Sequence, residues 1–429
     1  MTTRDDHIAD FAEFLNASPS SFHAAAEAAR RLEEAGFTGL DETHAWPAAP
    51  GRYYVVRDGA IIAWHLPEGA GAVTPFRILG AHTDSPGFML KPQPTIGSKG
   101  WLQAGVEIYG GPLLNSWLDR ELELAGRVVT RGGETRLLRT GPFLRIPQLA
   151  IHLDRSANDA LTLDRQKHTV PVFGVGDAAE VDLLGLLAAH AGLDDASEIA
   201  GYDLVTADTQ QPRRFGLDEV FLAAGRMDDL SSVHAGLVAL LAASAGPQTS
   251  PAHISVLAAF DHEELGSASR SGASGPFLED VLSRIGTALG AGVDERARAI
   301  ASSWCLSADA GHSVHPNYSE KHDPANQPVA GKGPLLKINA TQRYATDARG
   351  AALWAGLCAR AGVDYQEFVS NNTVPCGSTI GPLTATRLGI ATVDVGVPLL
   401  SMHSARELAH IDDLAALTRV IEEFFAPSV

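Results

Sequence analysis

Residues 254–264 read Ile-Ser-Val-Leu-Ala-Ala-Phe-Asp-His-Glu-Glu, so that an apolar run ends abruptly in ionisable side chains. A short apolar run with such a boundary is typical of a buried strand. Helical patterns lie on either side of it, at about 230–244 and 276–289, and further strands are predicted at 304–308 and 391–395. Strands that alternate with helices in this way indicate an α/β fold with a largely parallel central sheet flanked by helices.

The chain before this layer has a different pattern of predicted secondary structure. Two helices are predicted over 6–36, and short β-type runs follow them. From 87 to 222, glycine and proline punctuate alternating segments, and long helices are scarce. We therefore expect two domains: residues 1–86 and 223–429 form the α/β domain, and residues 87–222 form an inserted, mostly β domain.

The composition is that of a globular protein, with 429 residues of which 45% are hydrophobic and 20% charged. The net charge of -18 repels phosphates, and no run of Lys and Arg offsets it, so nucleic-acid binding is not expected. No apolar run approaches the roughly 18 residues of a membrane span, and the beginning shows no secretory signal, so we expect a cytoplasmic protein that does not bind membranes. Cys305, Cys358 and Cys376 lack C-x-x-C spacing, which predicts reduced thiols.

Ionisable residues follow the carboxyl ends of predicted strands or enter the next helix: His82, Asp84, Asp228, Glu263, Glu264, Asp309 and His403. Open α/β sheets bind ligands at the carboxyl ends of their strands, so we expect these side chains to line one binding site. Uncompensated carboxylates there would raise one another's pKa values, and bound cations would resolve the conflict. Imidazole and carboxylate donors suit zinc, and also manganese or cobalt. Two such ions that share a carboxylate can hydrolyse amide or phosphate bonds.

Each element of this pattern also has a simpler interpretation. The spacing His82-Thr-Asp84 arises by chance and is usually surface decoration, and Glu263-Glu264 alone is typical of a solvated helix start. His152 lies in the apolar run Leu149-Ala-Ile-His-Leu153, which by itself favours a core histidine in a strand. The conjunction of these residues at strand ends, rather than any one of them, favours a metal site.

Taken together and in order, the motifs of this chain resemble those of the M18 family of metalloaminopeptidases, the aspartyl aminopeptidases, over nearly its whole length. The runs that carry the resemblance span residues 82–86, 146–153, 225–230, 261–267, 312–317, 337–344, 375–382 and 402–407. In one of them this chain has Asp228-Asp229-Leu230, where the family commonly has Asp-Asn-Leu. Asp228 is preserved as the first residue of this motif, and Asp229 adds a carboxylate beside it.

The resemblance implies a ligand set for two divalent metal ions per subunit. Asp228 would bridge them, His82 and Asp309 would complete one site, and Glu264 and His403 would complete the other.

The resemblance also implies which groups act on the attacking water and on the imidazole of His82. Glu263 would be the general base, and Asp84 would hold the imidazole of His82 in its ligating tautomer.

For the substrate, the resemblance implies that His152 reaches from the inserted dimerisation domain into the active site of a neighbouring subunit, within a dodecamer built from dimers. Lys337 would face the acidic side chain of the substrate's first residue, and Tyr344 would contact the substrate. A lysine that enters an apolar strand more often extends its head to water, which is the alternative for Lys337.

We therefore expect a cytoplasmic dinuclear zinc-type metalloaminopeptidase that removes N-terminal residues from peptides, with a preference for Asp or Glu. A related dinuclear amidohydrolase, such as a deacylase or carboxypeptidase, would use the same metals on another amide, and only the aminopeptidase requires a free α-amine. A non-catalytic, metal-stabilised assembly protein is a third alternative, which a missing ligand or base would favour. Here all six positions are filled.

Overall fold

The structure is a computed structural model that describes residues 3–246 and 253–426. Its α-helices are α1 (Arg4–Ala17), α2 (Ser21–Glu34), α3 (Leu183–His190), α4 (Met227–Ser244), α5 (Phe277–Ala288), α6 (Val293–Ala301), α7 (Ala348–Ala361), α8 (Ile380–Leu388) and α9 (Ile411–Phe425). None of the described helices is long and apolar enough to cross a membrane.

The strands, in chain order, are β1 (Thr38–Gly39), β2 (Gly51–Arg57), β3 (Ala60–Leu66), β4 (Phe76–His82), β5 (Gly87–Ser98), β6 (Trp101–Tyr109), β7 (Leu122–Thr130), β8 (Thr135–Arg139), β9 (Val172–Val175), β10 (Ile199–Asp208), β11 (Arg213–Phe215), β12 (Phe221–Ala224), β13 (Ile254–Phe260), β14 (Trp304–Ala308), β15 (Gly311–His312), β16 (Leu335–Lys337), β17 (Gln366–Phe368), β18 (Ala391–Gly396), β19 (Pro398–Leu400) and β20 (Glu407–His410).

The central sheet has the order β1-β2-β3-β13-β4-β14-β18-β16-β17. Its middle strands β13, β4, β14 and β18 pair in parallel, whereas β3 and β16 join them antiparallel. Every residue of β13 is buried, as expected for a strand covered by helices on both faces. The α/β layer with a largely parallel sheet is therefore confirmed, and its parallel strands end at one edge.

Helix α4 lies directly against this sheet. A Cβ atom built on Gly236 would be 2.0 Å from the Leu79 Cδ2 atom and 2.8 Å from the Leu257 Cδ1 atom. Only glycine allows so close an approach, which holds the first turn of α4, with Asp228, at the carboxyl edge of the sheet.

A second sheet, wholly antiparallel, has the order β8-β7-β10-β5-β6-β9 and is built from residues 87–208. Helix α3 packs against the hydrophobic core of this second sheet. A third, small sheet has the order β11-β12-β20-β19-β15. Through it, residues 221–224 pair with residues 407–410, and residues 213–215 pair with residues 221–223.

Candidate metal centre

The predicted ligand residues lie together at the carboxyl edge of the central sheet. Within each of three overlapping groups, one ligand atom per residue lies within 4.8 Å of the others: His82, Asp228 and Asp309; Asp228, Glu264 and His403; and His82, Glu263 and Glu264. His82 is the last residue of β4, and Glu263 and Glu264 follow β13 in a short turn. Asp309 follows β14, and His403 follows β19. Residues from five separate segments are thus brought to one point.

The carboxylate of Asp228 lies between two imidazoles. Its Oδ1 atom is 3.3 Å from His82 Nε2, and its Oδ2 atom is 3.3 Å from His403 Nε2. The other ring nitrogen of each histidine faces a backbone carbonyl: His82 Nδ1 is 3.0 Å from the Asp84 oxygen, and His403 Nδ1 is 3.0 Å from the Gly111 oxygen. Carbonyls only accept hydrogen bonds, so each Nδ1 carries a proton, and in the neutral ring each Nε2 presents a lone pair to the carboxylate.

Lone pairs that face one another across 3.3 Å repel unless a proton or a cation lies between them. The buried atoms Asp228 Oδ1 and Glu264 Oε1 have no hydrogen-bond partner among the described residues. Burial of His403 opposes its charge, but the hydrogen-bonding carboxylate of Asp228 and the charge of Glu264 outweigh this and raise the pKa of His403 to about 10. The geometry thus demands positive charge, and its imidazole and carboxylate donors fit zinc.

The Asp84 carboxylate organises the turn that presents the two glutamates. Its Oδ1 accepts the backbone N–H of Glu263 at 3.0 Å, and its Oδ2 accepts that of Glu264 at 3.2 Å. The Tyr109 hydroxyl donates to the same Oδ2 atom at 2.9 Å. The Asp84 Oδ1 atom is 3.5 Å from His82 Nδ1, farther than the Asp84 carbonyl oxygen, so the carbonyl is the nearer partner of that imidazole.

Glu263 has the environment of a group that exchanges protons near neutral pH. Burial and the nearby carboxylates of Asp309 and Asp228 raise its pKa to about 7, with His82 opposing the shift. A carboxylate with a pKa near the working pH is well matched to general base and general acid chemistry.

Glu407 belongs to the site and is missing from the sequence-based set. It is 2% exposed, and its carboxylate accepts the backbone N–H groups of Asp228 at 3.1 Å and of His403 at 3.0 Å. Burial raises the pKa of Glu407 to about 8. A signal was available, because Glu407 closes the run 402–407 that carries part of the family resemblance, but only its contacts reveal that it joins two ligand segments.

Lys337 is buried beside the metal centre. It is 2% exposed, its Nζ atom donates to the Ala310 carbonyl at 2.7 Å, and it lies 3.6 Å from Asp309 Oδ1. The alternative in which this lysine extends its head to water is therefore wrong. Its Nζ atom is 5.5 Å from the ring centroid of Tyr344, which is itself buried.

A cavity of about 270 Å³ opens next to these residues, and Tyr344, His312, His322, Phe368 and Cys376 are among the residues that line it. Both ring nitrogens of His322 are buried without a hydrogen-bond partner among the described residues. The two residues expected to contact substrate from within the chain, Lys337 and Tyr344, are thus adjacent, and one of them lines the cavity.

His152 lies elsewhere, in an exposed turn between β8 and β9. The prediction of a core histidine in an apolar strand is wrong, because the apolar residues around it are exposed as well: Leu149 by 58%, Ile151 by 44% and Leu153 by 75%. No strand partner is available to cover either side of this segment in the described part of the chain. His152 is in none of the three ligand groups.

The family model described as aminopeptidase I zinc metalloprotease (M18) matches residues 14–425. The chain belongs to the M18 family. A probable M18 family aminopeptidase 2 of Streptomyces avermitilis is 55% identical to it over 421 residues, with 97% of each chain covered. The protein of the same description from Streptomyces coelicolor is 53% identical, with 98% of each covered. The chain is thus an aminopeptidase of a zinc metalloprotease family.

Solved structures of M18 aminopeptidases share the fold. The structure of prApe1 has a TM-score of 0.93 and 30% identity, and the match covers 99% of this chain and 94% of that one. The M18 aminopeptidase of Thermotoga maritima has a TM-score of 0.86 and 25% identity, with coverage of 98% and 96%. The S. cerevisiae mApe1 dodecamer has a TM-score of 0.85 and 29% identity, with coverage of 98% and 96%.

Proposed function

We propose that this M18 aminopeptidase binds two divalent ions per subunit, zinc by preference with manganese or cobalt as alternatives, and that Asp228 bridges them. One observation carries the proposal: the two oxygens of Asp228 face the Nε2 atoms of His82 and His403 at 3.3 Å each. Asp309 would bind the same ion as His82, and Glu264 the same ion as His403, because each pair lies with Asp228 in one ligand group.

Divalent ions bound here would polarise the scissile carbonyl and make water a stronger nucleophile. Glu263, which lies in one ligand group with His82 and Glu264, takes the proton of the attacking water and delivers it to the leaving amine. Asp84 accepts the Glu263 N–H and so holds this general base in place.

The proposed substrates are peptides with N-terminal Asp or Glu. The Lys337 ammonium is almost fully desolvated and its carboxylate neighbour is Asp309, 3.6 Å away. When Asp309 also binds an ion, less of its charge is left for Lys337, and a substrate carboxylate can then supply a charge-assisted partner. Tyr344, which lines the adjoining cavity, is the proposed contact for the first residue of the peptide.

We further propose a homo-oligomer built from dimers, up to a dodecamer, in which residues 87–222 form the dimerisation domain. The exposed turn around His152, with its exposed apolar neighbours, supports a role at a subunit contact, where His152 would enter the active site of the neighbour. A cytoplasmic location is consistent with three cysteines that are all free.

The activity is tested on peptides that differ only in their N-terminus. Dialysis against a chelator should abolish hydrolysis of an Asp-initiated peptide, and zinc, manganese or cobalt should restore it. The N-acetylated form of the same peptide should be inert, since an aminopeptidase requires the free α-amine. Full activity of metal-free protein would contradict the metal proposal, and cleavage of the acetylated peptide would favour a deacylase or another amidohydrolase.

A further inference from the structure

A short segment of the inserted domain, residues 109–111, reaches the metal centre of its own chain. Tyr109, the last residue of β6, donates its hydroxyl hydrogen to Asp84 Oδ2 at 2.9 Å. Two residues later, the Gly111 carbonyl accepts the Nδ1 hydrogen of His403 at 3.0 Å. One strand end of the β domain thus contacts both Asp84 and His403.

These contacts converge on one of the two ligand groups. The oxygen that Tyr109 binds, Asp84 Oδ2, also accepts the backbone N–H of Glu264, and the Gly111 carbonyl selects the His403 tautomer whose Nε2 is free to bind a metal. Glu264 and His403 are two of the three members of the group that Asp228 completes.

The other group is held differently. In the described part of the chain, His82 makes its polar contacts with Asp84, Asp228 and Asp229, all outside residues 87–222. Asp309 likewise bonds through its backbone to Val395 and pairs with Lys337. Residues 109–111 therefore contact His403 directly and share the Asp84 Oδ2 atom with Glu264, whereas they reach His82 only through the other atoms of Asp84.

Packing holds the segment in place. Gly110 has a positive φ of 67°, and a Cβ atom there would lie 3.1 Å from Glu264 Cβ and 3.3 Å from the Glu264 oxygen. The Leu113 N–H donates to the His403 carbonyl at 2.9 Å, which tethers the same histidine a second time. The segment is too close to Glu264 and His403 to shift without moving them.

We propose that residues 109–111 are a positioning element through which the inserted domain sets the metal affinity of the Asp228–Glu264–His403 group, with Tyr109 as its side-chain component. This inference rests on the proposed two-metal centre. Groups that orient metal ligands typically contribute about 10- to 100-fold to metal affinity. Because Tyr109 acts through Asp84, its removal should have an effect at the lower end of that range, about tenfold.

The test is to introduce Tyr109→Phe into two variant proteins, each of which retains only one complete metal-ligand group. Asp309→Ala removes a ligand of the His82 group, and His403→Ala removes one from the other group. Zinc affinity is measured by competition with a chromogenic chelator on the full-length chain. The matched control is Tyr202→Phe, because the Tyr202 hydroxyl donates to the Lys91 carbonyl at 2.7 Å in the same domain and away from the metal centre.

We expect Tyr109→Phe to weaken zinc binding about tenfold in the Asp309→Ala background and by less than about threefold in the His403→Ala background. Tyr202→Phe should change neither value. Equal factors in the two backgrounds, or no change in either, would overturn the proposal. Gly110→Ala is a second variant, which should press on Glu264 and produce the same unequal loss. Binding of a single zinc ion by the unsubstituted protein would instead contradict the two-metal proposal, before any variant is compared.

Discussion

The carboxylate of Glu407 accepts the backbone N–H of Asp228 at 3.1 Å, which links β20 to the first turn of α4. Its second oxygen accepts the N–H of His403 at 3.0 Å. One buried side chain thus binds the backbones of two proposed ligand residues at once. This relationship makes the metal centre sensitive to a residue that need not bind the metal itself.

Glu407→Gln should therefore weaken zinc binding by about 10- to 100-fold, because the amide NH2 would face a backbone N–H that now has no acceptor. The free energy of unfolding should fall by about 1–3 kcal/mol for the same reason. Both quantities are measured on the purified variant, by chelator competition and by denaturant unfolding.

The control for that substitution is Glu123→Gln. Glu123 is also 2% exposed, but it pairs with Arg139 within the second, antiparallel sheet. This variant should lose stability and keep its zinc affinity. Unchanged zinc binding in Glu407→Gln would show that Glu407 does not position the ligands.

Glu263→Gln should retain zinc and lose most of its turnover. The amide has nearly the shape of the carboxylate but cannot take the proton of the attacking water, and general acid-base groups typically contribute about 10²- to 10⁴-fold. Metal content and kcat are measured on the same preparation. With zinc content intact, a fall in kcat of less than about tenfold would exclude Glu263 as the general base.

His152→Ala should be rescued by a partner that lacks the base. If His152 acts in the neighbouring active site, a mixed assembly of His152→Ala and Glu263→Gln chains contains some sites with both groups. Subunit exchange, followed by mass spectrometry of intact assemblies, should therefore restore activity in a mixture of two inactive proteins. Exchange without any recovery would assign His152 to its own chain.

Lys337→Met should reduce the preference for acidic N-terminal residues. Loss of a desolvated charge partner costs very roughly 1–3 kcal/mol, so kcat/KM for Asp and Glu substrates should fall by about one to two orders of magnitude, while Ala and Leu substrates hold steady. Zinc content is checked in parallel, because Lys337 also lies 3.6 Å from Asp309.

Lys321→Met is the matched control for the specificity experiment, because Lys321 lines the same cavity but is exposed. Its ratio of acidic to neutral cleavage should equal that of the unsubstituted protein. If Lys337→Met also has the acidic-to-neutral cleavage ratio of the unsubstituted protein, Lys337 does not belong to the specificity pocket.

The sequence alone predicts the α/β layer, because buried parallel strands are continuous apolar runs and leave a local signal. The run at 254–260 coincides with β13, and the run at 304–308 coincides with β14. Glu263, Glu264 and Asp309 could be proposed for the same reason, since they closely follow these two strands. Asp228 and Asp229 have non-helical backbone angles within α4, so regular helix geometry follows them, which agrees with the predicted start near 230.

Only the tertiary structure decided how those residues are held. The Gly111 carbonyl that selects the His403 tautomer is 292 positions away in the chain, and Glu407 reaches Asp228 across 179. Contacts between residues so far apart in the chain leave no periodic pattern in the sequence. They form only because the fold brings two separate elements together. The exposure of His152 is of the same kind: its apolar run reads as a strand, but no neighbouring strand is placed to pair with it among the described residues, so the segment turns outward.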